Sequence, residues 1–286
     1  MPDLWREIAS HISDATGSPF HPQGKSPVGG GSISDAWLLK GKGCRYFVKT
    51  GSFPFDAEAA GLAAMGKALR TPETVCLGEC RGRYWLVLEY VEMGRKVMRF
   101  DLLGSDLAKM HRLASNEFGW ESDNLIGSTP QRNSKSKDWG EFWKTRRLAF
   151  QFDLAKQNGH DFGKKAERLM ENLDAFFSDY RPTPALLHGD LWRGNAGFDL
   201  SGHPVLYDPA VYFGDREADI AMTELFGGFP ETFYAAYNGA FPLDSGYGKR
   251  KMLYNLYHVL NHLNIFGGSY LHQTVSMLDQ LLSKTD

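Results

Sequence analysis

The chain has 286 residues, 42% hydrophobic and 13% aromatic, with a formal charge of −2 at pH 7. That length supports a large core that begins to divide into two parts. The near-neutral charge argues against a basic nucleic-acid-binding surface. No apolar run reaches membrane-spanning length, and Asp3 and Glu7 around the single cation Arg6 do not form a signal-peptide layout, so a cytoplasmic location is expected. Cys44, Cys76 and Cys80 fit a reducing compartment. Cys76 and Cys80 lack convincing further ligands at zinc-site spacing and read as strand cysteines.

Taken in order, Leu4, Ile8 and Ile12 recur at helical spacing and predict a short amphipathic helix over 3–15. Pro22 to Pro27 should break regular structure. Val28-Gly29-Gly30-Gly31-Ser32-Ile33-Ser34 follows, ahead of a strand over 36–39. Consecutive glycines let backbone N–H groups approach a phosphate without Cβ interference, although a plain hairpin turn reads the same way. Cys44 to Lys49 reads as a strand ending in a lysine. Glu58 falls on the apolar stripe of a helix over 55–69, marked by Phe55, Leu62, Met65 and Leu69. A carboxylate on that stripe needs a cation, and Lys49 is the obvious partner.

Strands are expected over 74–77 and 85–90, with Glu89, Tyr90 and Val91 as a connector able to bond a nucleobase through its backbone. Helical periodicity then takes over, across 102–113, 137–157 and 163–177. Arg132 to Lys137 reads as a solvated loop. Asp161-Phe162-Gly163 lies between two helical patterns and reads as a helix-entry turn.

The most informative stretch is Leu186 to Ala210. Asp190 stands two residues after His188, Asn195 five after Asp190, and Asp208 thirteen further on, across a short strand over 205–207. Phosphoryl transfer needs one carboxylate to orient a hydroxyl, and an amide oxygen with a second carboxylate to hold Mg²⁺ on the phosphates. Asp190, Asn195 and Asp208 match that spacing, with His-Gly-Asp and Asp-Pro-Ala in place of the protein-kinase tripeptides. Further on, Gly214-Asp-Arg-Glu-Ala-Asp219 is too charged for a helix interior unless its members pair. Asp215 is a candidate helix cap, Asp219 a candidate to orient the catalytic loop, and Glu217 a candidate to face substrate. His258 and His262, four apart on one helix, have no third ligand at zinc spacing and suit a polar substrate pocket or the core.

Together, Gly29-Gly-Gly-Ser-Ile-Ser, Tyr46-Phe-Val-Lys49, Glu58-Ala-Ala-Gly-Leu, His188-Gly-Asp-Leu-Trp-Arg-Gly-Asn195, Tyr207-Asp-Pro-Ala and Gly214-Asp-Arg-Glu-Ala-Asp219 resemble the fructosamine kinase family, over about residues 29–268. That family belongs to the aminoglycoside-phosphotransferase and choline-kinase-like branch of the protein-kinase-like fold. The resemblance implies an α+β, bilobal protein-kinase-like architecture. A β-rich N-terminal lobe over 1–92 would carry a leading helix, an antiparallel sheet and one helix bearing Glu58, and a mainly helical lobe would span 93–286.

It also implies ATP- and Mg²⁺-dependent phosphorylation of the 3-hydroxyl of ketosamines, free or protein-bound, with decomposition of the product releasing the amine. Ribulosamines and erythrulosamines are preferred over fructosamines in bacterial-type members. On this reading Asp190, Lys49 and Glu58 are catalytic, and Gly29, Gly30, Gly31, Ser32, Lys49, Glu89, Tyr90 and Val91 bind nucleotide. Asn195 and Asp208 hold the metal, and Trp192, Asp215, Glu217 and His262 are substrate candidates. No nucleic-acid or membrane partner and no particular oligomeric state is implied. Many members carry a cysteine where this chain has Ser32, which removes that route to redox control, and Arg193 stands where a small residue is common. The competing expectations are a kinase of another small hydroxylated metabolite, such as an aminoglycoside or amino alcohol, and a nucleotide-binding pseudokinase.

Overall fold

The computed structural model describes residues 4–29 and 35–284. Helix α1 (Leu4–Thr16) buries Ile8, Ala9 and Ile12. Strands β1 (Gly24–Pro27), β2 (Asp35–Lys40) and β3 (Arg45–Gly51) follow. β1 corrects the expectation that Pro22 to Pro27 is irregular: it pairs with β2 from Gly24↔Lys40 to Pro27↔Trp37. It is an edge strand, where a proline costs no ladder bond. Helix α2 (Asp56–Met65) precedes β4 (Thr74–Cys80) and β5 (Arg83–Glu89). α2 stops short of the expected Leu69: Gly66 is its C-cap, and the Thr71 hydroxyl donates to the Leu62 carbonyl at 3.1 Å, satisfying a last-turn acceptor.

The five strands form one antiparallel sheet in the order β1-β2-β3-β5-β4. Leu39, Val48, Trp85 and Val87 pack with Ile8, Ile12 and Phe20. Because successive side chains of a strand alternate between faces, burying Val48 against α1 turns its neighbour Lys49 to the opposite face.

The chain then forms α3 (Phe100–Met110), the hairpin β6 (Asn124–Ile126) and β7 (Thr129–Gln131), α4 (Trp139–Phe142), α5 (Ala149–Gln157) and α6 (Gly163–Glu171). The pattern over 137–157 is not one α-helix, since a π-helical segment, Trp143–Leu148, separates α4 from α5. The wider turn puts Trp143, Arg147 and Leu148 all in the interior. Arg147 is fully buried, with its guanidinium 4.0 Å from the Tyr212 ring centroid and Nη2 donating to Asn133 Oδ1 at 2.9 Å. Asn133 is therefore buried within a loop otherwise expected to be solvated. α6 ends at Glu171, and 3₁₀ geometry over Leu173–Phe176 completes the stretch predicted as helical to Phe177. Gly163 N–H donates to Asp161 Oδ1 at 2.9 Å, so Asp161-Phe162-Gly163 is the entry turn of α6.

Strands β8 (Ala185–Leu187), β9 (Ala196–Phe198), β10 (Pro204–Leu206) and β11 (Tyr212–Gly214) lead into α7 (Arg216–Leu225), α8 (Glu231–Ala240), α9 (Tyr247–Phe266) and α10 (Leu271–Leu282). α9 is the central helix, with every residue from Leu253 to Asn261 buried. Around it pack Trp139, Phe142, Trp143, Leu169, Tyr212, Leu278 and Leu281. Among the described residues no helix is long and apolar enough to cross a membrane.

Contacts divide the chain into two compact units, Met1–Arg99 with Gly197–Tyr207, and Phe100–Ala196 with Asp208–Asp286. This differs from a single cut after residue 92. The β9–β10 hairpin belongs with the strands because Leu206 N–H donates to the Arg70 carbonyl at 3.0 Å and Gly94 N–H to the Phe198 carbonyl at 2.7 Å.

Candidate active site

In the first unit, the sheet face opposite α1 carries Lys49, which is 7% exposed. Its ammonium donates to both Glu58 oxygens at 2.8 Å each. The pair reconciles an apolar helix face with a carboxylate, since either charge alone would be costly at this depth. Among the described residues, nothing lies within 4 Å of where a Cβ on Gly29 would stand. Gly30, Gly31 and Ser32 lie outside the described residues. In the connector, Glu89 N–H donates to the Glu73 carbonyl at 2.8 Å and its carboxylate pairs with Arg70 at 2.7 Å. The amide N–H of Glu89 is thus committed within the protein and does not serve a nucleobase. The Tyr90 ring lies 4.6 Å from the Arg45 guanidinium, and Val91 is half-buried.

In the second unit, the loop leaving β8 is held by its backbone. β8 pairs antiparallel with β11, Leu187 opposite Tyr212. This brings the start of α7 back under the loop. Asp219 accepts from His188 N–H at 2.7 Å through Oδ2 and from Gly189 N–H at 2.9 Å through Oδ1. Asp219 therefore orients the loop, as its position in the charged cluster suggested. Gly189 has φ +81, and a Cβ there would lie 2.0 Å from the Ala210 carbonyl oxygen, so no other residue fits. His188 is fully buried, and Asp190 N–H donates to its Nδ1 at 3.3 Å.

Asn195 Nδ2 donates to the Asp190 carbonyl at 2.8 Å and to Asp190 Oδ2 at 3.1 Å. Both bonds use the amide nitrogen, and among the described residues none is made to Oδ1. Withdrawal from solvent, reinforced by the Asp208 and Asp219 carboxylates, pushes Asp190 up to about 7, with the Asn195 hydrogen bond pulling the other way. A carboxylate poised near neutrality is suited to accept a proton. Asp208, half-buried, has φ +56, a left-handed conformation among non-glycine residues shared only with Arg81 in the described chain.

The remaining substrate candidates separate clearly. Trp192 is 39% exposed, and its ring lies 6.4 Å from Phe226, whose ring is 4.7 Å from His262. His262 Nδ1 lies 2.8 Å from the His258 carbonyl and donates to it, leaving Nε2 as an acceptor, and burial lowers its pKa. Asp215 and Glu217, by contrast, are both fully buried and bonded to protein groups. Asp215 caps α7 by accepting from Glu217 N–H at 3.0 Å, and it also accepts from the Tyr180 and Tyr254 hydroxyls. Glu217 accepts from Arg250 Nε at 2.7 Å and Nη2 at 3.0 Å. Arg193 sits over the Phe100 ring at 4.4 Å. Among the described residues no cluster of three or more His, Cys, Asp or Glu is arranged to hold a metal, so His258 and His262 have no third ligand for zinc.

One residue near the loop escaped the sequence reading. His111 is 2% exposed, with Nε2 3.2 Å from Asp219 Oδ2. Its only signal was a position four after Leu107, on the apolar stripe of α3 extended by one residue.

The family model that matches the chain, over residues 4–284, is described as fructosamine kinase. A probable ketoamine kinase of Synechocystis sp. is 44% identical, covering 98% of each chain. The chloroplastic protein-ribulosamine 3-kinase of Arabidopsis thaliana is 41% identical over 89% of this chain and 81% of its own length. A putative fructosamine-3-kinase structure from Haemophilus somnus superposes with TM-score 0.92 at 28% identity, covering 97% of each chain. The protein-kinase-like fold itself is shared with the aminoglycoside phosphotransferase APH(4)-Ia, solved with ADP and hygromycin B, at TM-score 0.63 and 15% identity over 98% of this chain and 97% of the other.

Proposed function

Because the chain belongs to the fructosamine kinase family, we propose that it transfers the γ-phosphoryl group of ATP to the 3-hydroxyl of a ketosamine, with ribulosamines as the favoured class. The observation that carries this reading is Asp190, bonded by Asn195 in a loop whose His188 and Gly189 amides are pinned to Asp219. In this role Asp190 accepts or orients the proton of the attacking hydroxyl. Lys49, fixed by Glu58, holds phosphate oxygens, assisted by the backbone of 29–32. Glu89, Tyr90 and Val91 form the nucleobase connector, through groups other than the Glu89 N–H. Trp192 and the Nε2 acceptor of His262 meet the sugar.

The donor set fits Mg²⁺. Asn195 offers an amide oxygen and Asp208 a carboxylate, and this hard cation commonly takes one or two protein ligands and completes its shell with water and nucleotide phosphates. When bound, Mg²⁺ neutralises charge developing on the phosphates. The three cysteines are free, as in a reducing, ATP-containing compartment such as the cytoplasm.

The test is to incubate the purified protein and MgATP with model ribulosamines, erythrulosamines and fructosamines beside aminoglycoside and amino-alcohol acceptors, and to identify products by phosphorus NMR. A 3-phosphoketosamine is expected. Phosphorylation of an aminoglycoside or amino alcohol instead would move the protein to another acceptor class. Nucleotide binding without turnover on any acceptor would make it a pseudokinase.

A further inference from the structure

Asp208 has φ +56, and a residue other than glycine keeps such a backbone only where its surroundings over-determine it. The segment after it carries the restraint. Ala210 N–H donates to the His188 carbonyl at 2.8 Å, and the carbonyls of Ala210 and Val211 are both taken up by the β6–β7 hairpin. Gln131 Nε2 donates to the Ala210 carbonyl at 3.0 Å, and Asn124 Nδ2 to the Val211 carbonyl at 2.8 Å. Asn124 and Gln131 stand opposite each other in the hairpin register, so their side chains emerge on the same face.

The two amides are braced in turn. Asn124 Oδ1 accepts from Gln131 Nε2 and from Asn133 Nδ2, each at 2.9 Å. Asn133 Oδ1 accepts from Arg147 Nη2 at 2.9 Å, and Gln131 Oε1 accepts from the Tyr257 hydroxyl at 2.8 Å. Gln131, Asn133, Arg147 and Tyr257 are each at most 2% exposed, so water does not compete for these bonds. The ends of the network settle every amide in it. A carbonyl only accepts, so Gln131 and Asn124 turn their nitrogens to Ala210 and Val211; a guanidinium only donates, so Asn133 turns its oxygen to Arg147. None of the three can flip without leaving a buried donor or acceptor unpaired. The anchor is the π-helical turn, which places Arg147 in the interior, 4.7 Å from the Phe142 ring centroid and 4.0 Å from that of Tyr212.

We propose that Gln131 and Asn124, braced by Arg147, are positioning residues for metal binding: by holding the Ala210 and Val211 carbonyls they fix the backbone at Asp208, and with it the carboxylate offered to Mg²⁺. The inference rests on the kinase reading for the metal, while the backbone restraint stands without it. Losing the groups that orient a metal ligand costs about 10- to 100-fold in metal affinity or activity. Here the link runs through the main chain, so the lower end is expected.

The test uses Gln131→Met and Asn124→Leu in the full-length protein, which keep side-chain bulk and remove the donor. Mn²⁺, a paramagnetic substitute for Mg²⁺, is titrated at saturating ADP and read by electron paramagnetic resonance. Its affinity should fall about 10-fold in each variant, and the Mg²⁺ needed for half-maximal turnover should rise by the same factor. Turnover at saturating Mg²⁺ should stay within about threefold of wild type, and metal-free ADP affinity within about twofold. Amide hydrogen exchange over 208–213 should speed up in the protein without nucleotide or metal. Unchanged Mn²⁺ affinity in folded Gln131→Met, a loss in turnover with the Mg²⁺ requirement unmoved, or unchanged exchange over 208–213 would overturn the proposal. Exchange that speeds up equally along α9 would mark general loosening and overturn it as well. Should Asn124→Leu fail to fold, Gln131→Met, which replaces the amide by a side chain of similar length, carries the test. If the wild-type protein binds no Mn²⁺ with ADP, the kinase reading loses its metal, and the exchange measurement alone decides the backbone restraint.

Discussion

Lys49 with Glu58 in one unit, and Asp190 with its neighbours in the other, solve the problem of sheltered charge in opposite ways. The first pair is self-balancing: one ammonium meets one carboxylate, two bonds of 2.8 Å link groups nine residues apart, and the pair has no net charge. The second region gathers Asp190, Asp208 and Asp219, and Asp219 is held below the usual carboxylate range despite burial, with His111 hydrogen-bonded to it. Asp190 is instead raised, and two nearby carboxylates contribute to the rise. The self-balanced pair is a rigid handle that a polyanion can grip through the ammonium. The carboxylate-rich region is a place where a divalent cation or a transferable proton is welcome.

The widest separation between the two regions should come from Asp190→Ala. Turnover on a ketosamine is expected to fall by about 10²-fold or more with nucleotide affinity little changed, as read by steady-state kinetics beside calorimetric nucleotide titration. Retained turnover would remove the proton-accepting role. Lys49→Met should do the reverse, weakening productive nucleotide use. It should also destabilise the protein by about 2–3 kcal/mol in urea unfolding, because Glu58 loses the Lys49 ammonium at a mostly buried position. Adding Glu58→Leu should restore much of that stability without restoring activity. If the double variant is no more stable than the single one, the pair does not have the self-balancing role described.

Glu217→Gln sharpens the contrast from outside the site. Loss of its ion pair with Arg250 is expected to cost about 1–3 kcal/mol, reduced because Arg250 keeps Asp244 at 2.7 Å, while the acceptor KM stays at the wild-type value. A raised acceptor KM at unchanged stability would return Glu217 to the substrate side. The smallest effect is a pH dependence. Burial lowers His258 to about 3. The unfolded chain takes up the proton near pH 6.5 and the folded one does not, so this contribution is complete above pH 6.5 and is lost as pH falls toward 3. Between pH 7.5 and 5.5 the loss is about 1 kcal/mol, and His258→Gln should flatten that slope in urea titrations at the two pH values.

Local chemistry made part of this legible in the sequence. Glu58 on an apolar helical stripe demanded a nearby cation, and Asp215 ahead of α7 had the place of a cap. Asp161-Phe162-Gly163 was recognisable as a turn because helical patterns flanked it. What escaped depended on partners far along the chain. Glu217 meets Arg250 across 33 residues and His111 meets Asp219 across 108, and neither pairing leaves a periodic trace. The π-helical turn in 143–148 follows from burying Arg147 beneath aromatic rings, a tertiary demand that no window of apolar spacing records. The hairpin over 197–207 joins the N-terminal strands through backbone bonds to Arg70 and Gly94, which sequence periodicity cannot express.

The left-handed backbone at Asp208 restricts what can be exchanged there. Besides glycine, only asparagine and aspartate enter that conformation readily, so alanine or glutamate would distort the main chain as well as alter the side chain. Asparagine is thus the one replacement that neutralises the residue while sparing the peptide geometry and keeping a side-chain oxygen, whereas an alanine scan at this codon would confound loss of the carboxylate with conformational strain.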